Sequence, residues 1–275
     1  MRGVRLILLT TVAFLLTHFT AKAQYNLKPL FQIDTSAVFI STDNLDNIYI
    51  VTSRNQLLKY NSSGKLLWNY SNKAFGKLSY VNTTDPMRIL LFYSAIQQVV
   101  VLNNNLNEIT RFNFGTDASR IVTLIATANS NGFWIYDQSN RQLQKLSNEF
   151  GSELVSGNIN QQTQLAIQPS IIQASDQAVY LYDNSLGILQ FDRFGNYIST
   201  IKTGAISNFQ VHGDEVMFLK DSVWNCYKTS SSLIKTLYTF ENKPLQVSEG
   251  SRLIALLTKE GIKVYTILRN DNEKK

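Results

Sequence analysis

The sequence predicts an all-β fold: a single six-bladed β-propeller of four-stranded antiparallel blades. Three observations predict it. Residues 48–67 (IYIVTSRNQLLKYNSSGKLL) align without a gap on residues 179–198 (VYLYDNSLGILQFDRFGNYI), which sets Gly64 on Gly195 in the same turn. Strand, hairpin, strand, glycine turn and strand make the unit of a blade, and self-similarity of this kind marks a radial array. Innermost strands begin near Ser36, Lys77, Ile121, Ser170, Ser207 and Leu245, at intervals of roughly 40 residues, as a four-stranded blade with tight turns requires. The sixth repeat lacks an outer strand, whereas residues 27–33 (LKPLFQI) precede the first repeat and belong to no complete blade. Laying that segment on the last blade closes the ring and removes an unpaired edge.

The chain divides into residues 1–23, a propeller over residues 24–270 and a polar tail over residues 271–275. Arg2 and Arg5 precede the apolar run LILLTTVAFLL, and Ala21-Lys22-Ala23 offers small residues where a signal peptidase cuts, so residues 1–23 read as a cleaved signal peptide. The run is far shorter than the roughly 20 residues of a spanning helix, and no later segment is apolar enough to cross a membrane. Loss of Arg2, Arg5 and Lys22 lowers the net charge from +6 to +3, against 20 acidic residues. The basic pI therefore belongs mostly to the precursor and does not point to nucleic acid.

Second strands are expected at 48–51, 89–93, 133–136, 179–182, 216–219 and 253–257, where β-branched and aromatic residues suit a pleated, half-buried surface. Third strands follow at 57–60, 98–102, 142–146, 187–191, 223–227 and 262–267. Asn61-Ser62-Ser63-Gly64, Asn103-Asn104-Asn105, Asp192-Arg193-Phe194-Gly195 and Ser230-Ser231-Ser232 separate strands with residues that tolerate positive φ. Residues 157–168 (GNINQQTQLAIQ) are an insertion before the fourth blade, and no helix is expected after residue 23. Pro29 suits an outermost strand, where one line of hydrogen bonds is free.

The chemistry available is narrow. His212 is the one histidine of the mature chain and Cys226 its one cysteine. That excludes an intramolecular disulfide and a zinc or copper site built on several His or Cys. Cys226 sits in an alternating apolar run and reads as a buried small hydrophobe. Asp137 and Asp183 follow second strands, and Asp221 ends a shorter one, so two or three carboxylates converge on one rim where a hard cation would accept them. Each also suits a plain turn role, bonding the backbone two residues on. A cation-dependent hydrolase or lyase acting on a sugar or lactone would draw on Asp137, Asp183 and Glu249, with Asn82 as the other polar innermost residue. The same rim carries Arg54, Arg120, Lys220 and Lys259, with Phe75 and Phe133 nearby, a mixed basic and aromatic surface for a peptide, glycan or protein. No glycine-rich phosphate loop leads from a strand into a helix. No catalytic residue, metal or cofactor is assigned.

The repeat form resembles the NHL and YVTN-type six-bladed propellers over nearly the whole mature region. Asn61-Ser62-Ser63-Gly64-Lys65-Leu66-Leu67-Trp68 also resembles the G-K-x-x-W turn of quinoprotein-like blades, among them the eight-bladed outer-membrane assembly propellers; no other blade here keeps that spacing. The AKAQ junction and the wealth of Asn, Ile, Tyr and Lys resemble exported proteins of Bacteroidota. Radial repetition gives a rigid disc whose rim loops vary freely, which suits protein interaction and leads to the expectation of a non-enzymatic protein-binding or scaffolding propeller of the bacterial cell envelope, exported to the periplasm, peripheral to the outer membrane or secreted. Its partner would be an envelope protein; partner identity, binding face and oligomeric state stay open.

Overall fold

The computed structural model describes residues 25–128 and 132–269; the expected signal peptide and polar tail lie outside them. Six four-stranded antiparallel sheets form a ring, a β-propeller. The N-terminal strand β1 (Tyr25–Ile33) stands apart from its neighbours in sequence. Blade I is β2 (Ala37–Thr42), β3 (Ile48–Thr52), β4 (Leu57–Tyr60) and β5 (Leu66–Tyr70). Blade II is β6 (Tyr80–Asn82), β7 (Ile89–Tyr93), β8 (Gln98–Leu102) and β9 (Glu108–Asn113). Blade III is β10 (Val122–Thr127), β11 (Phe133–Asp137), β12 (Gln142–Leu146) and β13 (Ser152–Val155). Blade IV is β14 (Ile171–Ala174), β15 (Ala178–Asp183), β16 (Gly187–Asp192) and β17 (Tyr197–Ile201). Blade V is β18 (Phe209–His212), β19 (Glu215–Lys220), β20 (Val223–Lys228) and β21 (Leu233–Thr239). Blade VI joins β22 (Gln246–Glu249), β23 (Leu253–Thr258) and β24 (Gly261–Arg269) to β1.

The closure is the one the two chain ends predict. Strand β1 pairs antiparallel with β24 from Tyr25 opposite Arg269 to Ile33 opposite Ile262, with an irregularity between Pro29 and Phe31. Proline is tolerated at such a bulge because it has no N–H to offer the ladder. The second strands differ from expectation: β3, β7, β11 and β15 are buried at every position. Each blade is covered on both faces by its neighbours, so these strands read as continuous apolar runs rather than alternating ones. Neighbouring blades enclose apolar clusters between them, such as Phe92, Phe114, Phe133 and Phe150 between blades II and III. Phe133 stacks on Phe150 at 4.7 Å between ring centroids. That corrects its expected place on the hairpin rim, since it opens β11 at the opposite end and is core.

The insertion also departs from expectation. It contains a short helix, α1 (Ile159–Thr163), whose N-cap Asn158 side chain accepts from Gln161 N. The polar run INQQT carries no apolar period, so the cap and the burial of Ile159 hold this turn rather than an amphipathic face.

The third-to-fourth-strand turns do more than reverse the chain. Asn61, Asn103, Ser147 and Asp192 each accept from the backbone N–H groups two and four residues on. The residue three positions on is left-handed: Gly64, Leu106, Phe150 and Gly195. Each turn then meets the preceding blade. A Cβ on Gly64 would stand 3.0 Å from the Phe31 ring of β1, and one on Gly195 would stand 2.7 Å from Ser156 Cβ beyond β13. The buried Lys59 of blade I donates Nζ to the backbone O (2.8 Å) and Oδ1 (2.6 Å) of Asn104, and Arg88 of blade II donates to Asn148. The aligned glycines are thus equivalent in role as well as in sequence.

Candidate functional site

The innermost strands are a polar ring. Their outer edges pair within each blade, so backbone groups facing the channel need partners from elsewhere. Side chains of the preceding blade supply them, and side-chain pairs bridge the same joints. Ile40 N donates to Gln246 Oε1 (3.1 Å) and Thr42 N to Ser248 Oγ (2.8 Å). Glu249 N donates to Gln210 Oε1 (2.8 Å), and Thr127 Oγ1 donates to Asn82 Oδ1 (2.8 Å). Tyr80 crosses from blade II to blade IV and donates its hydroxyl to Ile172 O at 2.9 Å. Burial pushes that phenol up to about 12, so it stays a donor.

The carboxylates proposed for chemistry are engaged too, Asp137 and Asp183 within their own blades and Glu249 across a blade joint. Asp137 is fully buried: Oδ1 accepts from Ile121 N (3.2 Å) and Ser139 N (3.0 Å), and Oδ2 accepts from Asn140 Nδ2 (2.7 Å). Asp183 accepts from Ser185 N (2.8 Å), Ser185 Oγ (2.6 Å), Leu186 N (3.2 Å) and Gln168 N (2.7 Å). Burial pushes the Asp183 carboxyl up, but these donors outweigh it and hold the group below the usual carboxylate range. Glu249 is buried at the end of β22, on the face opposite the hairpins, where Oε2 accepts from Trp224 Nε1 at 2.8 Å. The fold therefore does not bring Asp137, Asp183 and Glu249 together. Among the described residues, no group of three or more His, Cys, Asp or Glu is placed to hold a metal ion. Cys226 is buried, and burial with nearby carboxylates raises its thiol to about 11. His212 ends β18 opposite Glu215, also on the far face.

The remaining rim residues divide into engaged and exposed. Arg120 faces Asp117 at 3.1 Å, lies 5.6 Å over the Phe114 ring and donates Nη1 to Gln144 Oε1 at 3.4 Å. Phe75 packs edge-on against Tyr93 at 5.2 Å, with the Arg111 guanidinium 5.3 Å from its centroid. Arg54, Lys220, Asp221 and Lys259 are exposed at the tips of second-to-third-strand hairpins. Asp221 adopts φ 56, the left-handed turn conformation.

Of these, Arg54 borders a built feature. A cavity of about 740 Å³ opens between blades I and II, lined by residues of β2, of the β3–β4 hairpin and of the connection from β5 into β6. Val38, Phe39, Val51, Leu78 and Val81 give it apolar walls, and Arg54 and Lys77 stand at its edge with no hydrogen bond or ion pair among the described residues. Asn55, left-handed at φ 64, fixes the frame by donating Nδ2 to Gly76 O (2.5 Å) and accepting from Leu78 N (2.7 Å). Lys77, Asn55, Val38 and Tyr80 are site residues that motif reading missed. Their signal was positional: in any propeller, a hairpin and the next inter-blade connection share one face.

No family model matches the chain, and no curated protein matches it. Solved structures do. The WD40 domain of Pan2 from Neurospora crassa superimposes with a TM-score of 0.64 at 10% identity, covering 89% of this chain and 96% of that one. A catalytically inactive virginiamycin B lyase from Staphylococcus aureus, solved with quinupristin, gives 0.61 at 13% identity over 89% and 100%. The Cps50 (Swd1) β-propeller domain of Myceliophteria thermophila gives 0.61 at 6% identity over 88% and 100%. A lyase and WD40 domains are equally good matches, so the likeness is one of fold and carries no activity with it.

Proposed function

We propose that the chain is a non-enzymatic binding propeller of the bacterial cell envelope, a scaffold that meets a protein partner through its hairpin face. The observation that carries this reading is the state of the ionisable groups. The carboxylates suited to catalysis are held by backbone and side-chain donors, while Arg54, Lys77, Lys220 and Lys259 on the hairpin face have no partner among the described residues. Unpaired cations on rigid hairpins attract and orient an acidic partner. Export rests on the leader-like residues 1–23 and an envelope setting on the composition and the AKAQ junction; the NHL and YVTN-type affinity rests on the repeat form. No helix of the described residues is long and apolar enough to cross a membrane.

The test is an affinity pulldown of the tagged mature protein from its own envelope fraction, read by mass spectrometry. A stoichiometric partner is expected, and Arg54→Glu should release it. A protein that purifies alone from that fraction, or a partner indifferent to charge reversal on the hairpin face, would end this reading.

A further inference from the structure

The cavity between blades I and II has features that contact with a protein surface does not require. At about 740 Å³ it falls within the range of small-molecule sites, roughly 300–1,000 Å³. Its wall includes Val38, 56% exposed on an innermost strand, beside the half-buried Phe39. Leaving an apolar side chain of a cavity wall in water forgoes burial that a ligand restores. Arg54 and Lys77 stand at the lip, and no acidic residue lines the cavity. The frame is rigid before any ligand arrives. Asn55 ties the hairpin to the next connection, Ser53 N donates to Ser36 O at 2.8 Å, and the Ser36 and Ser53 hydroxyls bond at 2.9 Å. A site fixed in advance loses little entropy on binding.

We infer that this cavity binds a small amphipathic anion, an apolar body carrying a carboxylate, sulfonate or phosphate. The body lies against Val38 and Phe39, and the anionic group is held by Arg54 and Lys77. Guanidinium and ammonium donors form charge-assisted hydrogen bonds to such groups, which are stronger than neutral ones. The site stands on the cavity itself and holds whether or not a protein partner docks on the same face.

The experiment uses the full mature chain and two probes in isothermal titration: anilinonaphthalene sulfonate and the uncharged N-phenylnaphthylamine. One sulfonate per chain should bind saturably. Arg54→Glu combined with Lys77→Glu should weaken it about tenfold or more and leave the uncharged probe unchanged. Val38→Trp, which fills the cavity from an exposed position, should displace both. If the reversal pair fails to melt cooperatively, Arg54→Gln with Lys77→Gln takes its place and should produce a smaller loss in the same direction. Failure to saturate, several equivalent sites per chain, or sulfonate binding unmoved by these substitutions would overturn the inference.

Discussion

The two faces of the ring use the same kinds of residue for different ends. On the face of the first-to-second-strand turns, and at the third-to-fourth turns, polar side chains are bound into the fold. Asp43 accepts from Leu45 N, Asn47 N and the Tyr49 hydroxyl, all at 2.9 Å, and Asp46 accepts from Arg252 N at 2.9 Å and faces Arg252 Nε at 3.2 Å. Lys59, buried, is bound to Asn104 of the next blade; burial lowers its ammonium pKa, with Asp43 opposing that shift. On the hairpin face the carboxylates of Asp137 and Asp183 are likewise tied down, but the cations Arg54, Lys77, Lys220 and Lys259 are not. A propeller must lock its blades together, and here the turns carry much of that duty. The hairpin tips carry less of it and are open to a ligand.

If the turns are locks, breaking one should cost far more than altering a turn that touches nothing. Gly64 and Gly213 both adopt positive φ (80° and 61°), but a Cβ at Gly64 meets Phe31 at 3.0 Å and one at Gly213 meets nothing within 4 Å. Gly64→Val should destabilise by about 3–4 kcal/mol, the left-handed penalty plus overpacking. Gly213→Val should cost about 1–2 kcal/mol, the left-handed penalty alone. Urea unfolding of both variants measures the difference. Equal losses would mean that the turn does not hold the preceding blade.

The second lock closes the ring between its first and last blades. Asp46 is buried and takes N–H donors from Arg252 (2.9 Å) and Leu253 (3.3 Å) of blade VI. Asp46→Ala strands both donors and should cost about 2–3 kcal/mol. A loss under about 0.5 kcal/mol, the level of an ordinary surface change, would contradict the role.

Much of this architecture was legible in the sequence, and the reasons are local. Glycine turns, apolar second strands and the surplus strand at residues 27–33 are each marked by residue type within a few positions, so the six blades and their closure followed. The site was less legible because it is assembled between repeats. Arg54 was singled out by its hairpin, yet Lys77 appeared only as the start of a strand, and nothing local says that the two border one cavity. Phe133 was misplaced because an aromatic at the head of a strand lies at the other end from its hairpin. Tyr80 reaches Ile172 across the channel, a contact 92 residues apart in sequence that no pattern within one blade encodes. The helix α1 escaped notice because a single capped turn has no period to read.

Asp183 tests whether the hairpin carboxylates are structural, and its sign can be worked out. Its folded pKa lies below the usual value, so its contribution is complete above the unfolded value of roughly 3.9 and is lost as pH falls through the folded one. Asp183→Asn should therefore lower stability by about 1–2 kcal/mol at neutral pH, and the gap should narrow in acid. Thermal melts of both proteins from pH 7 to 2 decide it. A gap that persists unchanged in acid would mean that the charge of Asp183 is not what its donors stabilise.

The smallest expected effect is the most telling about the hairpin face. Arg54 and Lys77 are exposed and have no partner among the described residues, so nothing in the folded ring depends on their charge. Arg54→Glu with Lys77→Glu should leave the unfolding free energy within about 0.5 kcal/mol of the parent. Net charge becomes more negative, which a salt series separates from any local contribution, because exposed charges beyond about 10 Å are screened at 0.1 M salt. A large loss of stability would place these cations among the locks and erase the distinction between the faces. A silent substitution, set beside the 3–4 kcal/mol expected at Gly64, would leave the hairpin face free to be shaped by a ligand, since its charges would bear no part of holding the blades together.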